Sequence, residues 1–319
     1  MKDNKVLYDY VIYHKNCFDG FSGFVLFMNT PYRTDSVFIY PDVPHAVDVP
    51  IGIENKNVII IDVAYSPLII EEISKKSKKM TFIDHHKTNY NEIMNLKIKA
   101  NDEIIYDVNK CGASLVWQYF YSEKIPLFIK YIEDNDIGVW KYPQTLPFIT
   151  YLETKFTTEP TVHNIHKWLI LLSDKAVMRM IKKGTIYYEY KSYSIDHGAK
   201  SYAIMSFPSQ QILNEYPNNF VKVGQYKVAV HNGFENVSQL GRKLVDKIKC
   251  DFAFIWMYDI DKKKYIVSLR SADEKADVGE IAKIFGGGGH RNASAFSFNS
   301  NKFIIDDLFE PDPQPRNYN

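Results

Sequence analysis

Cysteine is scarce in this 319-residue chain, and what there is does not suit cross-linking. Cys17, Cys111 and Cys250 are odd in number, far apart and form no Cys-x-x-Cys pair, which argues against a disulfide framework or a zinc knuckle. Long apolar runs are also missing. Nothing approaches the ~20 residues that a membrane helix needs, and Met1-Lys2-Asp3-Asn4-Lys5 is too polar for a signal peptide. A reducing, cytoplasmic setting with no membrane contact is therefore expected. Charge of one sign is absent as well, with 39 Lys+Arg against 38 Asp+Glu, a net charge of +1. A protein that holds long duplexes by their phosphates usually shows a basic excess, so a small anionic substrate fits better than a long polymer. There are no internal repeats. Aromatics are plentiful at 15%, within an otherwise ordinary globular composition of 45% hydrophobic and 24% charged residues. The length suits two domains, each with its own core.

Along the first half, short apolar runs alternate with amphipathic segments. Strands are expected at Asp9–Tyr13, Ser36–Tyr40, Val58–Ile61 and Met80–Ile83, and helices at Phe21–Met28, Pro67–Lys76, Ala113–Ser122, Pro126–Glu133 and His163–Leu172. That rhythm indicates βαβ units and a mostly parallel sheet. A tyrosine-rich stretch, 178–201, reads as a connecting helix, and 208–219 as irregular. A second, mixed set follows: strands at Tyr226–His231, Phe252–Met257, Tyr265–Leu269 and Ala293–Phe298, helices at Val237–Lys247 and Val278–Phe285, and a hairpin loop at Asp259–Lys264. The expected organisation is α/β: an N-terminal catalytic domain over 1–180, a helical linker over 181–205, a smaller mixed α/β domain over 206–310, and a disordered tail over 311–319.

Three strand-like runs end in metal-capable side chains. His14 closes the first, with Asp19-Gly20 five residues on. Asp62 follows Val58–Ile61, and Asp84-His85-His86 ends the run from Met80. In an open parallel sheet the carboxyl ends of the strands form the ligand edge. Acids and imidazoles gathered there suit a pair of Mn²⁺-like ions, which could hold a phosphate oxygen and activate a water. Asp62, ending the most apolar strand, is the natural bridge between two ions. Further on, Glu133-Asp134-Asn135-Asp136 is either a solvated turn or the source of one more carboxylate.

The second half carries Gly286-Gly287-Gly288-Gly289-His290-Arg291 between a helix and a strand. Four glycines in succession cost backbone entropy and need a reason. One reason is a curl of N–H groups around an anion, with His290 and Arg291 as charge-assisted donors. Arg270, in Ser268-Leu269-Arg270-Ser271, could fork onto a phosphate.

These motifs together resemble the DHH phosphoesterase superfamily, in particular oligoribonuclease-like members with a glycine-rich DHH-associated domain. Asp84-His85-His86 matches the motif that names the family, Asp62 its lone aspartate after a hydrophobic strand, and Val267–Ser271 with Gly286–His290 the two signatures of the associated domain. The resemblance spans roughly residues 6–300. It implies that His14, Asp19, Asp62, His85 and either Asp136 or Asp134 bind two Mn²⁺ ions, with Mg²⁺ or another divalent ion as substitutes. Asp136 is favoured because Asp-Ile-Gly-Val-Trp is similar to an Asp-x-Trp form of the motif. It places Asp62, His85 and His86 in catalysis, and His86, Arg270, Gly287, Gly288, Gly289, His290 and Arg291 in substrate binding. The implied activity is metal-dependent hydrolysis of very short RNA or DNA oligonucleotides, or linear dinucleotides, to nucleoside monophosphates. A 3′-phosphoadenosine 5′-phosphate phosphatase and a nucleotide-binding sensor without catalysis are the alternatives, and an oligomer is left open. The chain departs from the family in one place: His14-Lys15-Asn16-Cys17-Phe18-Asp19-Gly20 lacks one of the two acids of the first motif and has Cys17 in its approximate place. Cys17 is then either a small apolar filler or a thiolate that would suit Zn²⁺ better than Mn²⁺.

Overall fold

The computed structural model describes residues 6–44, 46–121, 123–220 and 225–311. The chain divides into two compact units, residues 1–190 and 191–319. The first contains β1 (Tyr8–His14), α1 (Phe18–Met28), β2 (Arg33–Asp42), β3 (Asn57–Ile61), α2 (Pro67–Lys76), β4 (Lys79–Asp84), α3 (Tyr90–Met94), β5 (Glu103–Tyr106), α4 (Gly112–Phe120), α5 (Leu127–Asp136), α6 (Thr145–Lys155) and α7 (Val162–Leu169). Helix α8 (Asp174–Gly198) includes the boundary between the units. The second unit contains β6 (Ala203–Phe207), α9 (Gln210–Glu215), β7 (Tyr226–Asn232), α10 (Val237–Ile248), β8 (Phe252–Asp259), β9 (Lys264–Arg270), α11 (Val278–Ile284), β10 (Gly288–His290), β11 (Ala293–Asn299) and β12 (Glu310–Pro311). None of the described helices is long and apolar enough to cross a membrane.

In the first unit the sheet order is β2-β1-β3-β4-β5, and every pairing is parallel. The central strands are covered on both faces, which is why they read as unbroken apolar runs. Val11, Tyr13, Ile59 and Ile61 point into a core shared with α1 and α4–α7. Tyr10, Ile12, Val58 and Ile60 point the other way, into a core shared with α2. Val58 to Ile61 are all fully buried, each contributing roughly 1.5–3 kcal/mol. The chain leaves β1 towards β2 on one side and continues through β3, β4 and β5 on the other. The order therefore reverses between β1 and β3, where such sheets bind ligands.

Helix α2 begins as its sequence requires: Ser66 accepts a hydrogen bond from the Ile69 N–H and Pro67 occupies the first turn, while Lys75 and Lys76 face the dipole at its end. Helix α1 starts at Phe18, three residues before the expected Phe21, so that Asp19 lies in its first turn.

The second unit is a seven-stranded sheet in the order β10-β11-β9-β8-β7-β6-β12, antiparallel except for β7 and β8, which α10 connects. Apolar cores lie on both faces. Residues 208–219, expected to be irregular, contain α9, because Ser209 accepts from the Ile212 N–H and starts a short helix. Pro311, assigned by the sequence to the tail, instead pairs opposite Met205 in β12. The rest of that tail, 312–319, lies outside the described residues.

Candidate metal centre

All the first-unit candidates except Asp134 gather at the carboxyl edge of the parallel sheet. His14 is the last residue of β1. Asp62 follows the end of β3, and His85 and His86 follow the end of β4. Asp19 is the second residue of α1 and Asp136 the last of α5. Three overlapping ligand sets form around the shared edge, one of them Asp62, Asp84, His85 and His86. The ligand atoms of His14, Cys17 and Asp62 lie within 4.8 Å of one another, and so do those of Asp19, His85 and Asp136.

Asp62 holds the middle. Its Oδ2 is 3.3 Å from His14 Nδ1 and its Oδ1 is 3.1 Å from His85 Nε2. His85 Nε2 is also 3.3 Å from Asp136 Oδ2 and 3.7 Å from Asp19 Oδ2. A single imidazole nitrogen thus stands among three carboxylates. It can donate only one proton to them. Asp62 Oδ1 is buried, and beyond the 3.1 Å ion pair with His85 it accepts no aligned hydrogen bond from the described residues. A convergence of acceptors with too few donors is the arrangement a cation completes. The donor set of carboxylate and imidazole suits Mn²⁺, Mg²⁺ and related divalent ions.

The electrostatics follow from the same crowding. Burial works against the Asp62 charge, yet His14, His85 and His86 hold its carboxyl well below the usual range. Burial together with the neighbouring Asp62 pushes Asp19 and Asp136 up. Burial opposes the charge on His85 too, but the three surrounding carboxylates raise it to about 10.

The local backbone is shaped to bring these groups close. Asp62 is in the left-handed region at φ 61°, unusual for a residue with a side chain, and is held there by its N–H on the Ile83 carbonyl at 2.9 Å. A Cβ on Gly20 would stand 2.5 Å from the His14 carbonyl oxygen. A Cβ on Gly112 would stand 2.8 Å from Asp62 Cβ and 3.1 Å from Asp19 Oδ2. Both glycines are therefore needed for close approach. Asp19 accepts the Gly112 N–H at 2.6 Å and the Ala113 N–H at 2.8 Å, using two of the donors that the first turn of α4 leaves without helical partners.

Asp84, already part of the motif, and Tyr106, which the sequence did not single out, complete the site. Asp84 Oδ1 is 2.7 Å from His86 Nδ1. The Tyr106 hydroxyl donates to Asp84 Oδ2 and to the His86 carbonyl. Burial disfavours the charged His86 ring, but Asp84 prevails and raises it to about 9. Asp84 stood in the motif itself; Tyr106, the last residue of β5, carried no signal beyond its place at a strand end.

Asp134 lies elsewhere. Its carboxylate is buried and accepts from the N–H groups of Lys141 and Tyr142, at 2.7 and 3.2 Å, and from the Thr145 hydroxyl, tying α5 to the following loop and to the start of α6. Those donors explain its burial without an ion.

In the second unit, Arg270 at the end of β9 is held over α10. Its guanidinium donates to Ser238 Oγ at 3.2 and 3.4 Å, to the Leu269 carbonyl at 2.8 Å and to the Ser294 carbonyl at 3.4 Å. A Cβ on Gly241 would meet its Cγ at 2.6 Å, so that glycine is the seat for the arginine stem. Burial lowers the arginine from its usual range, and it makes no ion pair with a carboxylate among the described residues. Arg291, in the β10–β11 turn, is spent on the loop between β9 and α11, on the Asp273 and Lys275 carbonyls and on Asp277 Oδ2. The expected curl of glycine N–H groups is not the backbone that forms. The N–H groups of Gly286 and Gly287 bond to Lys283 and Ala282, and Gly288, Gly289 and His290 pair with β11 as a strand. A Cβ on Gly287 would lie 2.2 Å from the Ala295 carbonyl oxygen, so close approach of β11 accounts for glycine there.

The chain matches no family model. Among solved structures it is similar to the pGpG-specific phosphodiesterase PggH from Vibrio cholerae, with 13% identity, a TM-score of 0.47, and coverage of 92% of this chain and 94% of that one. It is also similar to an exopolyphosphatase-related protein from Bacteroides fragilis, with 13% identity, a TM-score of 0.41, and coverage of 92% and 87%. Among known sequences, the uncharacterized protein R106 of Acanthamoeba polyphaga mimivirus is 33% identical over 316 residues, which are 94% of this chain and 69% of R106. A match of that extent and identity makes this chain a member of the same family as mimivirus R106.

Proposed function

We propose that the first unit is a two-metal phosphoesterase of the DHH type, and that the protein hydrolyses the phosphodiester of very short oligonucleotides or linear dinucleotides. The observation that carries this reading is the group of overlapping ligand sets around the buried Asp62, whose Oδ1 accepts no aligned hydrogen bond, at the sheet's switch point. The motif resemblance along both halves supports it. Two divalent ions held by His14, Asp19, Asp62, His85 and Asp136 would supply Lewis acidity to a phosphoryl oxygen and an activated water.

The chain's own residues do the rest. Asp62 spaces the two ligand sets. Asp19, pinned by the first turn of α4, keeps its carboxylate in one orientation. His86, held by Asp84 on Nδ1, carries its proton on a ring fixed in tautomer and direction, and gives that proton to the departing oxygen. In the second unit, Arg270, which no described carboxylate neutralises, and His290 at the end of β10 are the candidates for gripping the substrate's phosphate end. The net charge of +1 favours short substrates over long strands.

The test is turnover by the purified protein with Mn²⁺ on a dinucleotide, 3′-phosphoadenosine 5′-phosphate, a long RNA and pyrophosphate in parallel. Fastest release of monophosphates from the dinucleotide is expected. Preference for the bisphosphate would shift the reading to a phosphomonoesterase, and binding without turnover to a sensor.

A further inference from the structure

Cys17 stands where the first motif lacks an acid. We propose that Cys17 is a metal ligand, so that the two positions differ in kind: one built from His14, Cys17 and Asp62 and thiophilic, the other built from Asp19, His85, Asp136 and Asp62 and oxygen-rich. This rests on the metal-centre reading above and goes beyond it by assigning the sulfur and the ion preference.

Three observations carry it. The ligand atoms of His14, Cys17 and Asp62 already lie within 4.8 Å of one another. Ligands at the usual Zn–N, Zn–O and Zn–S distances around a tetrahedral ion sit about 3.3–3.8 Å apart, so small side-chain adjustments close the set. Independently, Asp62, the carboxylate of the Cys17 set, is buried with an Oδ1 that accepts no aligned hydrogen bond, which leaves it a lone pair for an ion. Finally, Cys17 does not behave as a filler. Cys250 is buried within an apolar core and Cys111 is fully buried behind Asp19, whereas Cys17 is part-exposed at the start of α1, close to Asp62, Asp136 and Asp19, and its sulfur falls in a ligand set with His14 and Asp62.

Binding displaces the Cys17 thiol proton to solvent, and the sulfur lone pair becomes the donor. A thiolate with an imidazole and one carboxylate selects Zn²⁺ or Co²⁺ over Mn²⁺ and Mg²⁺, while the oxygen-rich set has no such bias. The protein should therefore hold a mixed pair of ions when both kinds are offered.

The experiment is cobalt titration of the metal-stripped full chain, followed by near-ultraviolet absorption, with metal stoichiometry from mass spectrometry. The wild type should show a sulfur-to-cobalt charge-transfer band at two ions per chain. Cys250→Ser should keep the band and Cys17→Ser should lose it. Cys17→Asp should bind two ions with no band, and its preference for Zn²⁺ over Mn²⁺ should fall at least tenfold. Zn²⁺ should also protect Cys17 of the wild type from alkylation, a readout that needs no variant. Two bound cobalt ions without the band, a band that survives Cys17→Ser, or alkylation unaffected by Zn²⁺ would overturn the assignment while leaving the metal centre standing. No bound ion in any form would overturn both.

Discussion

Gly112 makes no bond to any ion or substrate in the proposed centre, yet Gly112→Ala should damage it more than most ligand-neighbour changes. The added Cβ would stand 2.8 Å from Asp62 Cβ, about 0.7–1.2 Å inside normal carbon–carbon contact. Rotating a side chain cannot relieve the overlap, because both atoms are fixed by backbone. Asp62 is already in the left-handed region, with its N–H on Ile83. The remaining route is for α4 to back away, which stretches the bonds from Gly112 and Ala113 N–H to Asp19, now 2.6 and 2.8 Å. Overpacking of this kind costs about 1–3 kcal/mol. Replacing glycine in a helix returns about 0.4–1 kcal/mol through the unfolded chain, so a net loss of up to about 2.6 kcal/mol is expected. For a unit of this size that is a fall of about 2–4 °C in Tm per kcal/mol. Asp19 also loses its fixed direction, and each ~1.4 kcal/mol lost from ion binding is a tenfold weaker Kd. Thermal unfolding with and without Mn²⁺, beside a metal titration, measures both effects. The ion-induced rise in Tm should shrink along with the affinity. A Gly112→Ala protein that melts and binds Mn²⁺ like the wild type would refute the close-approach argument.

Other expectations come from the same geometry. Asp62→Ala should leave less than a tenth of wild-type turnover on a dinucleotide with the far-ultraviolet circular dichroism unchanged. Asp62→Asn tolerates the left-handed backbone and should lose activity with less loss of Tm than Asp62→Ala, separating charge from strain. In Asp84→Asn the charge that raises His86 to about 9 is gone, so the ring gives up its proton at lower pH. If His86 acts in its protonated form, the alkaline arm of the rate profile moves to lower pH, and an arm that stays put would remove His86 as the acid. Gly241→Ala puts a Cβ 2.6 Å from Arg270 Cγ and should displace the guanidinium. With a charge-assisted hydrogen bond worth ~1.5–3 kcal/mol, KM for a dinucleotide should rise roughly tenfold or more with kcat little changed, as steady-state kinetics would show.

What was legible in the sequence is what local pattern encodes. Val58–Ile61 reads as a strand because both of its faces are buried, and Asp62 and His85 stand out because polar residues interrupt such runs only at their ends. Edge strand β5 went unread: Glu103-Ile104-Ile105-Tyr106 is four residues long and half-buried throughout, too short for a period to show. Helix α6 was also missed, since Pro143 and Pro147 punctuate its start, although a proline in the first turn removes only an N–H that had no partner. The glycine run was recognised as needing a reason, and close approach of β11 supplies one at Gly287 and Gly289. Asp134 and Asp136 look alike in sequence and differ by which donors the following loop presents. The bonds from α4 to Asp19 join residues more than ninety positions apart, and no spacing rule reports them.

The arrangement around Asp62 is one that folding alone would avoid. Three carboxylates, from Asp19, Asp62 and Asp136, meet with their oxygens within 3.1–3.7 Å of one imidazole nitrogen. A backbone conformation disfavoured for a side-chain-bearing residue and two bare glycines are needed to bring them there. Each of these works against stability, by about 1–3 kcal/mol for a strained residue, and none improves the apolar packing beneath the sheet. Local preferences that conflict with a fold are expected where a site has been built into it. Here the conflicts coincide with the switch point and favour one remedy, positive charge supplied from outside the chain. Imidazoles cannot be the whole remedy, since His85 has one proton for three acceptors and His86 is engaged by Asp84. The same reasoning bears on Cys17: a neutral thiol beside Asp62, Asp136 and Asp19 does nothing for the charge imbalance, whereas a thiolate there is tolerable only with a cation already in place. Sulfur and carboxylates thus point to the same missing partner, and the ion each would choose is what separates the two positions.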